Sequence, residues 1–322
     1  MPVLNEFNHL EAAVHAALAQ DYLGEIEVIL AVGPSKDGTE NLVSQIIQAE
    51  ERVASIANPT GRTATALNLA IKVSRFDYIV RIDGHSEIER SYIANAVNAL
   101  RQRESEGVVN VGGVMAAEGI TRFERAVARA MRSPLGVGSS RFHVGGEAGE
   151  SDTVYLGVFK KSALLAVGGF DERYTRAQDW ELNYRLRLNG GKIWFDPALK
   201  VTYRPRGDFQ SLAKQYFEYG RWRRVVSRQH LGTVNLRYLA APLAVAINAL
   251  SLVLAMTNTY YFLAPVALYL ASMILGGIVI GKSWSERALL PLVITTMHHS
   301  WGLGFLTSPK RLLVQGRLKA NG

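Results

Sequence analysis

Between Tyr238 and Gly281 the chain runs for 44 residues without one Asp, Glu, Lys, Arg or His. No other feature limits its fold so strongly. A membrane-crossing helix needs about 20 apolar residues, so the run holds two, at about 239–256 and 260–281. Thr257, Asn258 and Thr259 near its middle have the character of the tight turn of a helical hairpin. A buried hairpin in a larger helical domain is the soluble alternative, but 44 residues without a charge are hard to place there. A third apolar stretch, 288–306, carries His298, His299 and several glycines, and either spans or lies at the interface.

The formal net charge is +8, and the basic residues flank the apolar run. Arg221, Arg223, Arg224, Arg228 and Arg237 precede it; Lys282 and Arg287 follow it, and Lys310, Arg311, Arg317 and Lys319 close the sequence. The preference of basic loops for the cytoplasmic side puts both ends of the hairpin there and its turn outside. A third full crossing would export the basic tail, so two spans are expected, with 288–306 re-entrant or interfacial. Nucleic acid is the other usual partner of surplus Lys and Arg. Their juxtamembrane position instead favours anionic lipid headgroups and no nucleic acid. There is no cysteine, which excludes disulfides and thiolate metal sites. The first twenty residues include Glu6, His9, Glu11 and His15 and lack an apolar signal-type core, so a bacterial cell-membrane protein with a cytoplasmic soluble part is expected.

Ahead of the apolar run, strands alternate with helices of 10 to 15 residues. Leu10, Ala13, Val14, Ala17 and Leu18 fall at helical spacing within 6–19. The pattern continues as a strand at 25–32, a helix at 38–50, a strand at 52–56, a helix at 63–74, a strand ending at Asp83 and a helix at 90–104. Strands at 108–115 and 153–159, a glycine-rich loop at 136–149, helices at 161–167 and 178–189, and two short strands within 192–204 follow. This alternation predicts an α/β domain over 1–207 with a mostly parallel, doubly wound sheet. Such a sheet normally opens with a strand, yet Pro2-Val3-Leu4 leads almost at once into helix, so either the first strand is missing or its start has been placed too late. Residues 208–237 form an amphipathic basic helix suited to a bilayer surface, and 238–322 form the membrane region.

Tyr78-Ile-Val-Arg-Ile-Asp-Gly-His85 runs an apolar strand into Asp83 and His85. Strand residues i and i+2 share a face, so both metal-competent side chains converge if the strand persists. That point lies at the carboxyl end of a strand, where open α/β sheets bind ligands. An Asp-Gly turn closing a buried strand explains the same residues without a ligand.

Five further motifs surround this one: Pro2-Val-Leu-Asn5-Glu6, Ser35-Lys-Asp37-Gly38-Thr39, Asn58-Pro-Thr-Gly-Arg62 with Ala66-Leu67-Asn68, Gly168-Gly-Phe-Asp171-Glu172, and Gln178-Asp179-Trp180-Glu181. In this order the set resembles the inverting family 2 glycosyltransferases of the GT-A type, over about residues 1–225. Within them it is similar to bacterial exopolysaccharide glucosyltransferases of the succinoglycan type. The resemblance implies a GT-A nucleotide-diphospho-sugar domain and a divalent metal, Mn2+ or Mg2+, on Asp83 and His85. It implies Asp179 as general base, although Asp at a helix start is also a good N-cap. Pro2, Asn5, Glu6, Asp37, Arg62, Asn68 and Asp83 match positions that hold the nucleotide sugar, with a UDP-sugar foremost; Arg62 could equally be a solvated surface arginine. Trp180, Glu181, Gln215, Arg221 and Trp222 match the acceptor side, where Trp180 could also be core. Val32, Gly33 and Pro34 stand where the family usually has one or two Asp, which leaves the base open. Five residues separate Gln215 from Arg221-Trp222, unlike the Gln-x-x-Arg-Trp of processive synthases, and this argues for transfer of a single sugar. The expected acceptor is a polyprenyl-linked saccharide. A polyprenyl-phosphate sugar synthase and a non-catalytic scaffold of the same fold are the alternatives.

Overall fold

The computed structural model describes residues 1–257 and 259–313; Asn258, Arg317 and Lys319 lie outside them. In chain order the elements are β1 (Pro2–Val3), α1 (Leu10–Leu18), β2 (Val28–Val32), α2 (Thr39–Ala49), β3 (Val53–Ala57), α3 (Thr63–Val73), β4 (Tyr78–Val80), β5 (Glu87–Ile88), α4 (Tyr92–Gln102) and β6 (Val108–Ala117). They continue with α5 (Arg122–Met131), α6 (Pro134–Val137), α7 (Arg141–Val144), β7 (Gly149–Glu150), β8 (Tyr155–Lys160), α8 (Lys161–Ala166), α9 (Gln178–Leu188) and β9 (Lys192–Tyr203). Four helices follow: α10 (Phe209–Gln229), α11 (Leu236–Ala255), α12 (Ala264–Ile280) and α13 (Trp284–Thr307). The described residues divide into two compact units, an α/β unit (1–116 and 145–203) and a helical unit (117–144 and 204–313).

In the α/β unit, β1, β2 and β3 form a parallel three-stranded sheet with Pro2 opposite Ala31 and Val28 opposite Val53. A strand of two residues thus opens the sheet, too short for an apolar period to be visible in sequence. The second sheet has the order β4-β8-β6-β9-β5, and its pairs β4–β8, β6–β8, β5–β9 and β7–β9 are antiparallel. The parallel βα alternation is thus confined to the first half of the unit. Residues 192–203 make one strand rather than two, because Asp196 and Pro197 interrupt the apolar pattern without breaking the ladder. Helix α1 turns Leu10, Ala13, Val14 and Ala17 into the core, the one-face spacing seen in the sequence. Leu10, Leu30 and Leu100 are fully buried there, each contributing roughly 1.5–3 kcal/mol of apolar burial.

In the helical unit, α13 is the core element. Leu290, Val293, Ile294 and Met297 on it are fully buried, and glycines let neighbouring helices approach closely. A Cβ on Gly220 of α10 would strike the Trp301 carbonyl, one on Gly304 the Phe217 carbonyl, and one on Gly302 would lie 2.7 Å from the Ala241 carbonyl. The stretch expected at 288–306 is thus part of a longer helix that packs against α5, α10, α11 and α12. Residues 260–280 and α11 are long and apolar enough to cross a membrane. Several of their large side chains, including Leu243, Ile247, Leu250, Ile274 and Val279, are at least half exposed. The glycine-rich loop contains the single-turn helices α6 and α7.

Candidate active site

The α/β unit assembles its charged groups around one arginine. Arg81 follows β4 directly and is 93% buried, its side chain being 7% exposed. Its Nε and Nη2 donate to the two oxygens of Asp83 at 3.1 and 3.2 Å, and its Nη1 donates to Asp179 Oδ1. One guanidinium thus serves two carboxylates. Burial opposes ionisation of Asp83, but the Arg81 charge and its hydrogen bonds outweigh it and hold this carboxyl below the usual range. Asp179 lies above the usual range, because its packing and then the Asp83 charge outweigh the pull of Arg81. The two acids are pushed apart, the arrangement by which neighbouring carboxylates take different roles. Sequence reasoning missed Arg81. The available signal was a lone charge inside the apolar run 78–82, which is costly to bury without partners.

Asp83 and His85 do share one locality, though not by strand geometry. The strand ends at Val80, and Asp83 to Ser86 form a turn closed by the Ser86 amide on the Asp83 carbonyl at 2.9 Å. The Asp-Gly turn reading was right for the backbone. His85 Nδ1 lies 2.8 Å from Glu6 Oε1, and its side chain is 53% exposed. Gly84 makes this possible, since a Cβ there would stand 3.0 Å from Glu6 Cγ.

The remaining positions matched to the nucleotide sugar by motif build two latched loops. Lys36 N donates to Asn5 Oδ1 at 2.8 Å, Asn5 N to Ser35 Oγ at 3.0 Å, and Glu6 N to Thr39 Oγ1 at 2.9 Å. Asp37 accepts from the Thr39 hydroxyl and amide and from Phe7 N, and the hydroxyl above all holds its carboxyl below the usual range. Asp37 therefore fixes the loop that seats Asn5 and Glu6; Pro2 lies in β1 just before it. Asn68 grips the Gly168–Glu172 turn, exchanging bonds with Phe170 N and O at 2.8 and 2.9 Å and donating to Glu172 Oε1 at 2.9 Å. Thr65 Oγ1 donates to Glu172 Oε2 at 2.9 Å, and Arg62 Nη1 to the Glu172 carbonyl at 3.3 Å. Asn68 is thus a clamp on this turn.

Helix α9 starts immediately after Ala177, a non-glycine residue at φ 60°. Strained backbone of this kind concentrates at functional sites. Asp179 and Trp180 in its first turn are partly exposed, and Trp180 stacks on Tyr184 with centroids 5.5 Å apart and planes 12° apart. Glu181 is 2% exposed and bound by Arg185 Nε and Nη2 at 2.7 and 2.8 Å, a buried ion pair. Trp222 is likewise buried, at 4% exposed within the helical unit. Gln215 donates to the Tyr219 hydroxyl, and Arg221 pairs with Glu218 at 2.8 Å.

The comparisons decide the family. Residues 1–151 match the model of glycosyl transferase family 2. Succinoglycan biosynthesis protein ExoA of Rhizobium meliloti (strain 1021) is 30% identical over 309 residues, 95% of this chain and 92% of that protein. The chain belongs to glycosyl transferase family 2. The chain is also similar to a dolichyl N-acetyl-alpha-D-glucosaminyl phosphate 3-beta-D-2,3-diacetamido-2,3-dideoxy-beta-D-glucuronosyltransferase of Methanococcus voltae. It is 24% identical over 74% of this chain and 75% of its own length. Among solved structures, the mannosyltransferase PcManGT from Pyrobaculum calidifontis, in complex with GDP-Man and Mn2+, superposes with a TM-score of 0.63. It is 19% identical, over 95% of this chain and 85% of that one. The fold is therefore the GT-A glycosyltransferase fold, and the family 2 chain is an enzyme, which removes the non-catalytic scaffold.

Proposed function

We propose that this family 2 glycosyltransferase is a membrane-anchored inverting enzyme that moves one sugar from a nucleotide diphosphate to a lipid-linked saccharide, in the synthesis of a cell-surface or exopolysaccharide. The observation that carries the reading is the pair of carboxylates on Arg81, one held low and one held high. Asp179, the higher, accepts the proton of the acceptor hydroxyl. A base whose pKa is nearer the working pH is a better general base. The acceptor oxygen then bonds to the anomeric carbon from the face opposite the phosphate, the carbon–oxygen bond to the diphosphate breaks, and the nucleoside diphosphate leaves with its electron pair. Trp180, stacked on Tyr184, offers an apolar face to a sugar ring.

A divalent metal would be held by Asp83 and His85. Among the described residues no three His, Asp or Glu side chains form a metal cluster, so these two donors would share it with the donor's phosphates, as Mg2+ and Mn2+ commonly do. The residues fit. Asp83 keeps lone pairs beyond those given to Arg81, and the Glu6 carboxylate orients the His85 ring as ligating histidines are usually oriented. Bound there, the cation would neutralise the leaving diphosphate.

Membrane anchoring is supported by the exposed apolar faces of residues 236–255 and 260–280. The net charge of the helical unit supports it too: residues 117–144 and 204–313 hold 17 Lys and Arg against 5 Asp and Glu, a surplus suited to anionic lipid on the cytoplasmic side. The lipid-linked acceptor is supported by the Methanococcus relative, whose name specifies a dolichyl-linked sugar phosphate. Incubating the purified protein in detergent with a panel of radiolabelled nucleotide sugars and bacterial lipid extract tests the reading. A lipid product whose new sugar survives mild acid supports it. A product whose label mild acid releases as free sugar indicates transfer to the lipid phosphate itself.

A further inference from the structure

Basic side chains of the helical unit gather around one aromatic ring. Tyr238 stands in the first turn of α11, where the apolar run begins, and Trp301 of α13 stacks on it with centroids 6.5 Å apart and planes 15° apart. The guanidinium carbon of Arg223, a buried residue of α10, lies 3.7 Å from the centre of the Tyr238 ring, and that of Arg237 lies 4.6 Å from it. Arg223 also donates to the Thr233 carbonyl, and Arg237 to the Tyr238 hydroxyl. The glycine-rich loop comes over the stem of Arg237. A Cβ on Gly138, which has φ 73°, would stand 3.1 Å from Arg237 Cγ.

His143, in α7 of the same loop, is the third basic group. Burial first, and then the Arg237 charge, hold its pKa at about 3, so the ring is neutral. Its enclosed Nδ1 makes no hydrogen bond among the described residues. Two guanidinium groups and an imidazole thus meet in a unit of surplus positive charge, and like charges gathered out of water repel one another. A carbonyl, a phenol and a ring face orient the two guanidinium groups. An anion bridging them would turn the repulsion into attraction.

The chemistry of the acceptor selects the anion. In a lipid-linked saccharide the whole saccharide separates the reacting hydroxyl from the phosphate that joins it to the lipid, so that phosphate needs partners of its own at the bilayer surface. Arg237 and Tyr238 open a helix apolar enough to cross a membrane, and the exposed Leu231 and Leu236 come just before them in the chain. Basic pockets at the cytoplasmic ends of membrane helices suit phosphate headgroups, and the guanidinium fork matches phosphate oxygens two at a time. We propose, on the reading of a lipid-linked acceptor given above, that Arg223, Arg237 and His143 hold the phosphate or diphosphate bridge of that acceptor.

Equilibrium binding of radiolabelled farnesyl diphosphate to the full chain in neutral detergent tests this. The buffer holds EDTA and no nucleotide sugar, so no metal draws the diphosphate to Asp83 and no sugar is transferred; the result is therefore separate from the product analysis above. The unmodified protein should bind the probe. Arg237→Gln should weaken binding by roughly tenfold or more, the loss of a charged hydrogen bond, and Arg237→Lys should restore part of it, with Tm measured in parallel to show that the fold is kept. A Kd for Arg237→Gln within twofold of the unmodified protein would overturn the proposal. So would displacement of the label by inorganic diphosphate at equal concentration, which would make this a site for a free anion. Displacement by phosphatidylglycerol at equal concentration would also overturn it, since the cluster would then be a general surface for anionic lipid.

Discussion

Replacing Arg81 with Met should make the site more pH-sensitive. The change removes one cation from two carboxylates and leaves a side chain of similar reach in a position that is 7% exposed. Removing one partner of a buried ion pair costs about 3–5 kcal/mol. The lower figure applies because the Asp179 side chain is 41% exposed, so about 3 kcal/mol is expected near pH 7.5. For a unit of this size that is a fall in Tm of roughly 6–12 °C. The pH dependence follows from the two shifts. In the unmodified protein Asp83 is held low, so its stabilisation is present above the unfolded pKa and is lost only as pH falls through the folded value. Between pH 5 and 7.5 it is constant. In the variant Asp179 faces Asp83 without the guanidinium, and its pKa, already raised, rises further. A raised carboxyl stabilises below its unfolded pKa, and that contribution disappears as pH climbs through the folded value. The deficit of Arg81→Met relative to the unmodified protein should therefore shrink from pH 7.5 to pH 5. Scanning calorimetry in detergent at both pH values measures it. A fall of less than 2 °C at pH 7.5, or an equal deficit at both, would refute the shared-cation account.

Asp83→Ala should abolish transfer and, since Asp179 still pairs with Arg81, lower Tm by less than Arg81→Met does, and activity of the unmodified protein should require Mn2+ or Mg2+; full turnover of the variant in EDTA would contradict this. Glu181→Gln should destabilise the α/β unit by about 3 kcal/mol through the unpaired Arg185, with KM for acceptor unchanged when assayed well below Tm; a raised acceptor KM at normal stability would return Glu181 to the acceptor side. With no native cysteine, Tyr261→Cys should react with an impermeant maleimide in whole cells and Lys310→Cys only after lysis. Labelling of Lys310→Cys in intact cells would mean that α13 crosses the bilayer.

Much of this was legible in the chain, and what was not has physical causes. The helix faces of α1 and α10 and the hairpin apolarity announce themselves by period and length, because burial against a core or lipid selects one face or a whole run. The short β1 and the antiparallel pairing of β8 with β4 and β6 depend on partners distant in sequence, which local pattern does not record. Site residues emerged as motif positions, but their tasks did not. Asp37 and Asn68 spend their polar atoms holding loops, and Glu181 spends its carboxylate on Arg185, since a side chain two helical positions from Asp179 points about 200° away from it. Arg81, which organises the site, was hidden as one charged letter in an apolar strand.

The account rests on Asp179 as the proton acceptor, and its most direct test is single-turnover and steady-state kinetics of Asp179→Asn with the donor that the unmodified protein consumes. General bases supply about 10²–10⁴-fold. The variant should therefore lose roughly 10²-fold or more in kcat with donor Kd unchanged. A kcat within threefold of the unmodified enzyme would leave Asp179 only its ion pair with Arg81, and the proposed chemistry of the site would be wrong.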